Sequence, residues 1–194
     1  MLYPSYKGAA EKHIKTCMGI SEAIEKLNIL DNNALIVTFN KQSVLHNIYY
    51  MCGYVLESIS TYAIYKNYSW NVRESIKQPN ARFIDRTNFS FYLDHNKLGN
   101  QYSVQFHNFQ NNQFEILRQL SSSFIGVPMI DNSIPIDTDV LLLFRNWKPQ
   151  IRYDECNKIY PSFLNSQFSL NSDNVLKFVD FTNIFYNSLI QIVG

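Results

Sequence analysis

The segment from Leu45 to Ala63 places Leu45, Ile48, Cys52, Val55, Leu56, Ile59, Tyr62 and Ala63 at an almost unbroken three-four spacing. A helix of that register carries all of them on one face, whereas a strand would scatter them across both. Each such side chain contributes about 1.5–3 kcal/mol once buried, so this helix is predicted to be the centre of the core. Gly53 lies inside it. Glycine there costs about 1 kcal/mol relative to alanine, and the close crossing of a second helix is the expected reason for keeping it. Glu57, the one acid between Asn47 and Lys66, falls at the border of the apolar face. An acid so placed needs a partner, and Arg152 is the expected one, tying the chain after Pro149 back onto the helix through a bidentate ion pair.

Three further helical patterns flank this one. Ala10, Ile14, Cys17, Ile20, Ile24 and Leu27 define an amphipathic first helix. Leu98 to Phe124 reads as one long helix, kinked at the polar run from Asn108 to Gln113. Val175, Phe178, Val179, Thr182, Phe185, Leu189, Ile190 and Val193 define the last helix, capped by Asn171 or Ser172. Between the last two, Asp137 can cap the short apolar run Val140–Phe144, and Pro149 ends it. Ala34 to Phe39 fits a strand or more helix equally well, and 68–96 lacks periodicity. The expected fold is all-α: an antiparallel four- or five-helix up-and-down bundle, with a long irregular loop between the second and third main helices. Residues 1–194 are expected to form a single domain.

Charged residues are only 17% of the chain and the net charge is +1, so no overall field draws it to a phosphate backbone or an anionic membrane. Any nucleic-acid contact would be local. Cys17, Cys52 and Cys156 form no C-x-x-C pair, which favours a reduced, cytoplasmic setting over a disulfide framework. Charges from Lys7 to Lys15 precede any apolar run, so neither a signal peptide nor a membrane association is expected.

Local catalytic signatures are absent: there is no H-E-x-x-H pair, P-loop, G-x-G-x-x-G or G-x-S-x-G elbow. His13 and Cys17 stand one turn apart, but no third ligand is near, so neither a metal nor a cofactor is expected. Arg145, Lys148 and Arg152 bracket Trp147 and Tyr153, a mixture of cations and flat rings that could stack on a base and neutralise phosphate. The alternative, which carries more weight, is that the rings plug the core. Lys77, Arg82 and Arg86 form a looser basic group, expected to be a solvated surface.

Taken together, these residues resemble the HEPN family, helical bundles named for nucleotide binding in higher eukaryotes and prokaryotes. The first helix with His13 looks like the family's opening helix, and Tyr49-Tyr50-x-x-Gly53-Tyr54-x-x-Glu57 looks like its second. Trp147-x-Pro149-x-x-Arg152-Tyr153 is similar to its closing segment, and His95-x-x-Leu98 resembles its histidine before the third helix in weaker form. Many members are metal-independent ribonucleases using an arginine followed four to six residues later by a histidine. No arginine of this chain meets a histidine in that window; Arg86 to His95 comes nearest. The resemblance therefore implies a non-catalytic bundle that binds a nucleotide, RNA or a partner protein as a homodimer, in a defence or toxin–antitoxin type of system. Two alternatives stand beside it. One is a diverged ribonuclease joining His95 to Arg145 or Arg152; the other is a structural or regulatory subunit that only binds protein.

Overall fold

The structure, a computed structural model, describes residues 2–30, 37–73, 109–149, 151 and 170–194. Every regular element among them is helical, as the all-α reading requires: α1 (Pro4–Leu30), α2 (Val37–Asn67), α3 (Gln113–Gln119), α4 (Thr138–Asn146) and α5 (Ser172–Val193), with 3-10 turns at Phe109–Asn111 and Ser121–Ser123. No strand occurs in the described residues; Pro128 and Asp131 form an isolated bridge.

Side-chain register gives the directions of the long helices. The Tyr3 ring lies 5.7 Å from that of Tyr62, His13 lies 5.3 Å from Tyr54, and the Cys17 thiol reaches the Ile48 carbonyl at 4.0 Å. α1 and α2 are therefore antiparallel. Tyr49 meets Phe178 edge-on at 5.6 Å, and the Tyr62 hydroxyl reaches the Val193 carbonyl at 3.5 Å, so α5 runs parallel to α2 and against α1. α3 packs on α2, and α4 on α5.

α2 is the central helix, and more completely so than its periodicity indicates. Every residue from Val55 to Tyr65 is buried, including the polar Glu57, Ser58, Ser60 and Thr61. Small hydroxyl residues tolerate such a position because they can bond back along their own helix, as the Thr61 hydroxyl does to the Glu57 carbonyl at 2.8 Å. Glu57 is 3% exposed: it lies in the interior and not at a border. Burial, with Tyr54 and then Glu57 nearby, pushes the Tyr6 hydroxyl well above the usual tyrosine range.

The close of α2 occupies the first residues of the segment read as irregular. Ser69 N–H bonds the Lys66 carbonyl and Trp70 N–H the Tyr65 carbonyl, both at 3.0 Å, with Ser69 left-handed at φ 56°. This is a Schellman closure, completed by the edge-on contact of Trp70 with Tyr65 at 5.3 Å. The long helix expected over Leu98–Phe124 is corrected. In its described part the chain makes a 3-10 turn, breaks at Asn112, and forms only the seven-residue α3 before a second 3-10 turn. The polar run read as a kink is a helix boundary. Of the run Ala34–Phe39, the described residues from Val37 open α2. Residues 34–36 and 74–108 lie outside the described residues.

Candidate functional site

The site begins with α4, a helix of nine residues whose two ends are held differently. At its start the Asp137 carboxylate accepts the N–H groups of Asp139 at 2.8 Å and Val140 at 3.4 Å, the cap expected from sequence. The Asp139 N–H, more than any other group, holds this carboxyl below the usual carboxylate range. Lys177 of α5 lies 3.6 Å from both Asp137 and Asp139 and 3.0 Å from Asp173. These groups are substantially exposed, so the cluster is a screened surface tie between α4 and α5.

At its end, α4 runs towards Pro149 and has no glycine cap, so its last carbonyls need other donors. Side chains supply them. Asn146 Nδ2 donates to the Leu142 carbonyl at 2.8 Å, and the Tyr49 hydroxyl to that of Leu143 at 2.7 Å. Gln110 Nε2 donates to the carbonyls of Phe144 at 3.0 Å and Trp147 at 2.6 Å. Trp147 Nε1 in turn donates to the Tyr50 carbonyl at 3.1 Å. His46 Nε2 meets the Ile151 carbonyl at 2.7 Å, and since a carbonyl only accepts, the proton sits on that nitrogen.

Gly53 is the seat of this arrangement. A Cβ at position 53 would overlap the indole atoms Nε1, Cε2 and Cδ1 of Trp147. Close approach is thus the reason for the glycine, as predicted, but what approaches is a side chain from beyond α4 and not a crossing helix backbone. Trp147 is 2% exposed, packed edge-on to Phe109 at 6.0 Å and roughly parallel to Tyr50 at 6.5 Å. A ring so enclosed cannot stack on a base without leaving its seat, and its position matches the core-plug alternative.

Arg145 and Lys148, on either side of it, are exposed. Neither makes an ion pair among the described residues. Of the predicted site, the structure therefore brings together Gly53, Trp147, Arg145 and Lys148. His95, Arg152 and Tyr153, the Glu57–Arg152 pairing, and Lys77, Arg82 and Arg86 lie outside the described residues. His13 and Cys17 face α2 separately, the histidine ring edge-on to Tyr54 and the thiol towards Ile48.

Sequence reading missed His46, Tyr49 and Gln110, the three side chains that fasten the end of α4 and the chain after it. Their polarity alone does not name the acceptor, a carbonyl 34 and 37 residues on for Gln110, 94 for Tyr49 and 105 for His46. Among the described residues no helix is long and apolar enough to cross a membrane, and no three His, Cys, Asp or Glu residues gather to hold a metal. No family model matches the chain, and neither a curated protein nor a solved structure matches it.

Proposed function

We propose that this chain is a non-catalytic binding module of HEPN type, and that it engages a phosphate-bearing ligand, a nucleotide or RNA, at the end of α4. The observation that carries this reading is the exposure of Arg145 and Lys148, two cations without carboxylate partners among the described residues, on a backbone fastened by Trp147, Tyr49 and Gln110. A fastened backbone removes the cost of ordering the chain when an anion binds there, and arginine can present two parallel donors to a phosphate. At a net charge of +1 the attraction must come from such a local group. A homodimer, a cytoplasmic setting and a role in a defence or toxin–antitoxin type of system are the context that the family resemblance suggests.

The test is purification under native conditions, analysis of bound nucleotide and nucleic acid, and titration of a labelled single-stranded RNA at two salt concentrations. Binding that weakens with salt, and is lost in the Arg145→Glu, Lys148→Glu double variant while its helical content stays unchanged, is the expected result. Equal binding by the double variant would remove the site from this face. Cleavage of the RNA by wild type but not by His95→Ala would replace the binding reading with the ribonuclease one.

A further inference from the structure

The thiols of Cys17 and Cys52 are placed where α1, α2 and α5 meet. Both are free and fully buried. Cys17 Sγ lies 4.0 Å from the Ile48 carbonyl. In α2 that carbonyl also receives the N–H of Cys52, so the Cys17 sulfur sits against the turn of helix that carries Cys52. The Cys52 side chain leans towards the N-terminal end of its helix, which is the Ile48 side. Cys17, and Thr182 of α5, are the polar side chains that act on the Cys52 thiol within this buried cluster. Cysteines that face each other across one helix seam reach the S–S distance of about 2 Å by side-chain rotation and small backbone adjustment, without separating the helices.

We propose that Cys17 and Cys52 form a reversible disulfide that cross-links α1 to α2 when the protein meets hydrogen peroxide. One thiolate attacks a peroxide oxygen, giving a sulfenic acid and releasing water. The second sulfur then attacks the sulfenic sulfur; its proton leaves with the displaced hydroxide as a second water, and the peroxide has taken up two electrons. Burial pushes the Cys52 thiol well up and keeps it protonated, so the reaction waits on brief opening of the α1–α2 seam and is slow. The cross-link stands independently of any ligand at α4.

The test uses the whole chain in native buffer, treated with increasing hydrogen peroxide, alkylated and digested with trypsin. Cys17 falls in peptide 16–26 and Cys52 in peptide 42–66, and exposed Met18, in the first of these, serves as the internal dosimeter through its sulfoxide. The expected product is the two peptides joined, lighter than their sum by two hydrogens, separated again by dithiothreitol, and accompanied by a higher denaturation midpoint of the oxidised protein. Recovery of Cys17 and Cys52 as free thiols at doses that have converted Met18 would overturn the proposal. So would linkage of either cysteine to Cys156 or to a second chain, or a cross-link that appears only in denaturant.

Discussion

The two ends of α4 carry opposite charge, Asp137 and Asp139 at the start and Arg145 near the close, as the helix dipole favours. What they are attached to differs. The start is held to α5 by exposed ion pairs through Lys177, whereas the end is held to α2 by Trp147 on Gly53 and the buried Tyr49 hydroxyl, and to the first 3-10 turn by Gln110. Where charge does the fastening, it is occupied by its partners. Where packing does the fastening, Arg145 and Lys148 are left over for a ligand. The contrast predicts that stability resides mainly at the end, and binding in the residues there that contribute least to stability.

The severest test is Trp147→Ala. Removing a fully buried indole leaves a cavity beside Gly53 and takes away the second donor to the Tyr50 carbonyl, and should cost about 3–5 kcal/mol in urea unfolding. A loss below that of any substitution at the start of α4 would break the comparison. Gly53→Ala probes the same seat from the other side: the added methyl must displace the indole, at about 1–3 kcal/mol, despite the better helix propensity of alanine. Gly19, on α1 with open space around it, is the control, where alanine should stabilise by up to about 1 kcal/mol. If both alanine variants shift the midpoint the same way, the indole is not seated as described.

Gly53 also marks how far the sequence could be read. That a glycine within an apolar helical pattern signals close approach is a local inference, and it holds; the approaching group is set by tertiary structure and was not legible. The caps at Asp137 and Asn171 were readable because a cap involves only the next three residues. The pattern of α2 identified one buried face correctly, but a helix surrounded on all sides buries its hydroxyl residues too, and periodicity cannot distinguish those from a solvated face. Over Leu98–Phe124 aromatic residues at helical spacing outweighed the polar run in the reading, yet in the described part the chain breaks at Asn112 and turns. At the site, Arg145 and Lys148 could be named from composition. That the ring between them faces inward could not, since Trp147 has the same sequence neighbours in either arrangement.

A smaller effect is expected at the start of α4. Asp137→Ala removes the acceptor for two N–H groups and should cost about 1 kcal/mol near neutral pH. Its pH dependence has a definite sign. The Asp137 carboxyl is held below its ordinary value in the folded protein, so its contribution is complete above the unfolded-state pKa of about 3.9 and is lost as pH falls through the lower folded value. The gap between wild type and Asp137→Ala in urea midpoints should therefore be constant from pH 7 to 5 and shrink below about pH 4. A gap that instead opens in acid would mean that the carboxylate destabilises the helix start.

The smallest effect on stability, and the most informative for function, belongs to Arg145→Ala and Lys148→Ala. Both side chains are exposed and outside the ion pairs of the described residues, so each variant should unfold at the wild-type urea midpoint within error. Their effect should appear in binding instead: if each cation contacts one phosphate, each substitution lowers the slope of log affinity against log salt by about 1. A substitution that lowers the unfolding midpoint and leaves the salt slope unchanged would show that its cation fastens the helix end, as Lys177 does at the start. The two ends of α4 would then be alike in using their charges for stability, and the ligand would have to be sought on another face.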